Sequence, residues 1–93
     1  MAITSTNPST GERLKTFDPL TSDQIEEKLT AAERAFDHHR SDSFAKRAQF
    51  MMAAASLLEQ EKNQLAHIIT LEMGKLLGAS VDEILKCARG CRF

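Results

Sequence analysis

Between Ser43 and Lys75 the chain contains no proline, and its first glycine is Gly74. Alanine, leucine, methionine, glutamine, glutamate and lysine fill the stretch, the residue types that lose least on entering a helix. Phe44, Ala48, Met51, Ala55 and Leu58 step by four and three, which is one face of a helix. After the polar run Glu59-Gln60-Glu61-Lys62-Asn63 the apolar face restarts at Leu65, Ile68, Ile69 and Met73. The spacing therefore predicts two helices, over about 44–60 and 62–73, with a joint between them. Gly74 stands where glycine closes a helix in the left-handed conformation.

Upstream, Ile25, Leu29, Ala32 and Phe36 recur at helical spacing among charged residues, and Thr21-Ser22-Asp23-Gln24 reads as a capping box. A helix over 22–38 follows, then the polar link Arg40-Ser41-Asp42, with Ser43 as the next cap. Before it, Ile3-Thr4-Ser5-Thr6 and Arg13-Leu14-Lys15-Thr16-Phe17 flank a turn-rich separator containing Pro8 and Gly11. That arrangement predicts a β-hairpin over about 3–17. Two strands alone are marginal in water, so the hairpin must lean on helices or join a larger sheet. Downstream, Ser80-Val81-Asp82-Glu83 reads as a second capping box, placing the last helix over 81–91 with Val81, Ile84, Leu85, Ala88 and Cys91 on its apolar face. Leu76-Leu77-Gly78-Ala79 then serves as linker, although the leucines equally permit the helix to extend backwards. The expected fold class is mostly α with an N-terminal hairpin. The helical pattern is still running at Phe93, so the chain reads as an incomplete piece.

Composition narrows the function classes. Ninety-three residues make at most one small domain. The net charge is −1 with lysine and arginine dispersed, so no basic stripe for nucleic acid is present. No apolar run is long enough to cross a bilayer. The first residues have neither the basic start and apolar segment of a secretory signal nor the arginine-rich pattern of a transit peptide, and a cytoplasmic location is expected. Asn7-Pro8-Ser9 fails as a glycosylation site because of its proline.

Candidate chemistry is sparse. Cys87 and Cys91, four apart, fit neither a disulfide framework nor a C-x-x-C redox motif. They lie late in their helix, away from His38, His39 and His67, so they read as small buried hydrophobes and not as nucleophiles or metal ligands. His38-His39 suits a helix C-terminus, and His67 reads as packed or half-exposed. Met51, Met52 and Met73 are expected as core fillers. Glu72 opposes the dipole at the end of its helix and calls for a cation, with Lys75 the nearest candidate. A further reading is that Glu72, Gly74 and Lys75 fix how this helix end meets another part of a larger protein. Dinucleotide, P-loop and H-E-x-x-H motifs are absent from the sequence. No catalytic, cofactor-binding or metal residue is assigned from these patterns.

Several strings together resemble the N-terminal part of the aldehyde dehydrogenase superfamily, and within it the bacterial succinate-semialdehyde dehydrogenases. They are Asn7-Pro8-Ser9-Thr10-Gly11-Glu12, Thr16-Phe17-Asp18-Pro19, Ser43-Phe44-Ala45, Arg47-Ala48 and Leu57-Leu58-Glu59, leading to Ile69-Thr70-Leu71-Glu72-Met73-Gly74-Lys75. Glu83-Ile84, Lys86-Cys87-Ala88 and Cys91-Arg92 continue the match over essentially the whole chain. The resemblance implies the first part of an NAD(P)-binding α/β domain whose sheet comes from later sequence. It implies aldehyde oxidation through a cysteine thiolate, hydride transfer to nicotinamide, a glutamate that activates water and an oxyanion site built on an asparagine. In the family those residues and the nucleotide-binding loops lie beyond the matched stretch, so none is carried over, and the fragment itself is expected to hold no cofactor.

Departures from the family pattern are Leu76 in place of proline, Ala79 in place of glutamate, and His39, Arg89 and Gly90 at positions usually aromatic or aliphatic. They fit a truncated or decaying gene, or a partial gene model. The expectation is a fragment of an NAD(P)-dependent aldehyde dehydrogenase, inactive alone. The alternative is a small helical interaction module or gene remnant that binds a partner, either the remainder of an aldehyde dehydrogenase or a second copy through uncovered apolar faces. A third expectation is a chain barely folded by itself.

Overall fold

A computed structural model describes residues 3–93. The element order is β1 (Ile3–Thr6), β2 (Arg13–Phe17), α1 (Ser22–His39), α2 (Phe44–Gln60), α3 (Lys62–Met73) and α4 (Leu77–Arg92). The expected class holds: mostly helical, with an antiparallel hairpin at the N-terminal end.

In the hairpin Ile3 pairs with Phe17, Thr4 with Thr16 and Ser5 with Lys15, after which the register shifts so that Thr6 meets Arg13. Leu14 is left as the bulged residue, which turns its side chain out of the ladder. The turn is held locally. The Asn7 side chain accepts from the Ser9 N–H at 2.9 Å, and the Gly11 N–H donates to the Asn7 carbonyl at 2.8 Å. Gly11 sits at φ +75, a conformation that costs glycine little.

The helices start where their caps place them. Thr21 Oγ1 accepts from the Gln24 N–H and the Gln24 side chain accepts from the Thr21 N–H, completing the box ahead of α1. Ser43 caps α2 by accepting from the Lys46 N–H at 3.1 Å. Glu61, at φ −98 and ψ 10, is the joint between α2 and α3. Gly74 closes α3 in the left-handed conformation at φ +71.

The last helix departs from the expected 81–91. It begins at Leu77, and the Ser80 N–H already bonds the Leu76 carbonyl at 2.9 Å. Ser80 is therefore an interior helix residue, not a cap. Its side chain is 0% exposed, and its hydroxyl lies 3.0 Å from Thr70 Oγ1 on α3. A local capping preference of roughly 1 kcal/mol gives way to a tertiary site where the same hydroxyl has a partner across a helix interface.

The core is built from small residues. Ala55 of α2, Ala66 of α3 and Ser80, Ile84 and Ala88 of α4 are the buried positions, and α4 packs against both α2 and α3. Small side chains let the helix axes approach closely, but they remove little apolar surface from water. The larger apolar residues stay outside. Phe44 is 87% and Met73 74% exposed, and Met51 and Met52 also face solvent, so none fills the core as expected. The Cα extents are 48 × 37 × 15 Å, so the chain is flat. A flat arrangement leaves many helix faces uncovered, whereas a domain core is closed between packed layers.

Candidate functional site

Polar and apolar features converge where the C-terminal end of α3 meets the hairpin and the start of α4. Leu14 and Phe17 of β2 face Ile68 and Leu71 of α3 across a groove of about 270 Å³, with Ser5, Lys15 and Glu72 at its polar rim. The bulge is what turns Leu14 toward this groove. Lys15 Nζ lies 5.1 Å from the centre of the Phe17 ring.

At the rim, Glu72 does not pair with Lys75. Its carboxylate accepts from Ser5 Oγ at 2.9 Å, so the cost of a negative charge near a helix C-terminus is offset by a hydroxyl from β1. Lys75 turns the other way and bonds Glu83 on α4 at 3.0 Å. The Lys75 hydrogen bond and charge, with Lys86 adding to the field, hold the Glu83 carboxyl below its ordinary value. Between these two contacts, Gly74 meets the hairpin turn. A Cβ placed there would come within 3.2 Å of Pro8 Cγ and 3.3 Å of Ser9 Oγ. Glu72 and Gly74 thus join α3 to the hairpin, and Lys75 joins it to α4.

This junction can lock three elements together, but it offers no chemistry. Glu72 accepts from Ser5, but no third side chain orients the pair toward a substrate position, and the groove is smaller than sites that enclose small ligands. The other broad hollow runs along α1 between Asp23 and Arg34, and a single helix cannot enclose a ligand. Among the described residues, no three His, Cys, Asp or Glu side chains group as a metal site.

The cysteines are more open than expected. Cys87 is exposed and Cys91 half-buried, because the face of α4 turned to α2 and α3 is occupied by Ser80, Ile84 and Ala88. Among the described residues neither thiol has a hydrogen-bond partner. His67 is exposed. His39 lies 3.4 Å from Asp42 and tilts against the Phe50 ring at 6.4 Å. The His38 carbonyl accepts from Ser41 Oγ at 3.0 Å.

A dinucleotide needs backbone N–H groups aimed at phosphate from a glycine-rich loop at a helix N-terminus. The two left-handed glycines do not fit that requirement. The Gly74 N–H is spent on the Thr70 carbonyl at a helix C-terminus and is roofed by Pro8 and Ser9, and the Gly11 N–H is spent within the hairpin turn.

A sequence model of the aldehyde dehydrogenase family matches residues 1–93. The succinate-semialdehyde dehydrogenase [NADP(+)] of Mycobacterium leprae is 47% identical over 93 residues, which is 100% of this chain and 20% of the relative. Succinate-semialdehyde dehydrogenase [NADP(+)] 1 of Mycobacterium tuberculosis H37Rv gives the same identity and coverage. The protein of that first name from Mycobacterium avium is 45% identical over 94 residues, again 20% of its length. The chain thus spans about one fifth of the curated relatives it matches. Among the described residues, no helix is long and apolar enough to cross a membrane.

Proposed function

Because this chain belongs to the aldehyde dehydrogenase family, we propose that it is a structural portion of an NAD(P)-dependent enzyme that oxidises an aldehyde to the acid, with succinate semialdehyde as the substrate. Within that enzyme its role is to supply framework: the hairpin, the α3 end and the α4 layer. The chemical step and cofactor binding belong to the remaining length of such a protein. The chain alone is inactive.

One observation carries the reading. The family match runs through every element, and the residues with the most distinctive pattern, Leu71 to Lys75, are the ones that lock α3 to the hairpin and to α4. Their spacing answers a packing need. Substrate and cofactor follow from the names of the relatives, which are succinate-semialdehyde dehydrogenases using NADP(+). Aldehyde oxidation of this kind needs an activated thiolate, and an unpartnered exposed thiol late in a helix is not one.

The purified chain, incubated with succinate semialdehyde and NADP+ or NAD+, is expected to form no reduced nicotinamide above the buffer rate. A steady rate proportional to chain concentration, and lost on mutation of Cys87 or Cys91, would show that the chemistry is here after all.

A further inference from the structure

The last helix carries both thiols of the chain, four residues apart, and the framework role uses neither. Cys87 is exposed and Cys91 half-buried, so the burial that argued against metal ligation does not hold for Cys87. Two positions four apart in a helix lie on one side, with Cβ atoms about 5–6 Å from each other and side chains tilted the same way. Helix α4 runs unbroken from Leu77 to Arg92, so one continuous element presents both sulfurs, and neither is in a disulfide. Gly90 stands three residues after Cys87 and just before Cys91. Space is open where its Cβ would go, so no side chain screens that flank of the pair.

We propose that Cys87 and Cys91 form a two-thiolate site for a soft monovalent ion, Cu(I). The number of ligands selects the ion. A structural zinc site takes four, and among the described residues no third His, Cys, Asp or Glu joins the pair. Glu83, one turn before Cys87, is held by Lys75. Cu(I) prefers soft thiolate sulfur and is satisfied by two such ligands in line. At a metal–sulfur length of about 2.3 Å, a linear S–Cu–S unit spans about 4.6 Å, which the four-residue spacing meets with small rotations about χ1. Binding replaces two S–H bonds by two Cu–S bonds and releases two protons, with no change of oxidation state. The product carries one negative charge close to the negative end of the helix dipole. Lys86 and Arg89, both exposed and beside the thiols in sequence, offset it. None of this depends on the family reading.

The test is anaerobic titration of the reduced 93-residue chain with Cu(I) in competition with a chromophoric Cu(I) chelator. One ion per chain is expected. Cys87→Ser and Cys91→Ser should each weaken binding by about 10²-fold or more, because the second thiolate no longer closes a chelate. Lys86→Cys with Cys87→Ala keeps two thiols but sets them five apart, about 140° round the helix from each other, and should weaken binding as much. Zn(II) should leave the bound ion in place. A chain that takes no Cu(I) from the chelator overturns the proposal. So does a five-apart variant that binds as tightly as the parent, since the helix then contributes nothing, as in an unfolded chain. One ion shared between two chains makes the site intermolecular and overturns it too. Zn(II) binding as tight as Cu(I) would require ligands beyond the pair, with the same consequence.

Discussion

Two glycines in this chain ask opposite things of their neighbours. Gly74 needs a left-handed backbone and has Pro8 and Ser9 where a methyl group would go. Gly90 is helical, with open space around the position of a Cβ. Gly74→Ala is expected to destabilise by about 1–2 kcal/mol from the backbone alone, more if the hairpin turn must shift. Gly90→Ala is expected to stabilise by roughly 0.5–1 kcal/mol, by lowering the entropy of the unfolded chain. Urea unfolding of the two variants beside the parent chain gives the signs directly. Ser80 is the third telling residue. Ser80→Ala removes the hydroxyl that meets Thr70 and leaves Thr70 Oγ1 in a partly buried place without that partner, at a cost of about 1 kcal/mol.

At the scale of elements, side chains tie the helices together at their ends. Arg92 at the close of α4 reaches Glu59 near the close of α2 in a two-pronged ion pair, Nη1 to Oε1 and Nη2 to Oε2. Lys75 and Glu83 tie the exit of α3 to α4. Because the Glu83 carboxyl is held below its unfolded value of 4.5, this tie contributes stability that is present above that value. The contribution is lost as pH falls through the lower folded value. Glu83→Gln should therefore flatten the acid limb of a stability–pH curve and leave stability near neutral pH little changed, since the pair is solvated. At the α1–α2 corner, partial burial tends to raise the Asp42 carboxyl. The Lys46 hydrogen bond and charge, with those of His39, outweigh it and hold the group below its ordinary value. Arg47 closes the same corner. Its guanidinium carbon lies 5.8 Å from the centre of the Phe44 ring and its Nε is enclosed without a partner among the described residues, so the corner depends on the two carbonyl bonds from Nη2. Arg47→Ala should free α1 to swing, seen as faster amide exchange across residues 36–47 with helix content retained.

As a whole molecule the chain is extended for its length. Its Cα radius of gyration is 17.3 Å, against about 12 Å for a compact domain of this size. The excess comes from the flat arrangement and from α1, which meets α2 only at its C-terminal end. Ile25, Leu29, Phe36, Phe44, Met73 and Leu76 are apolar surface of the kind that larger proteins cover. Small-angle scattering should return this large radius for the free chain, and a dye that binds exposed apolar surface should light up at neutral pH. A radius near that of a compact sphere would mean that the faces close on each other in solution.

Local order in the sequence determined most of the elements. The Thr21 box, the Ser43 cap, the polar joint at Glu61 and the left-handed Gly74 are contacts between residues at most a few positions apart, so spacing and residue type suffice to specify them. Tertiary structure decided the rest. Whether Ser80 caps a helix or fills a core depends on Thr70 being opposite it, and whether Glu72 takes Lys75 or Ser5 depends on where β1 lies. Cys87, Met51, Met52 and Met73 went to the surface because burial is set by which faces find a neighbour, and a flat arrangement offers few. Periodicity marks the side of a helix that is able to be buried, and only a second packed layer buries it.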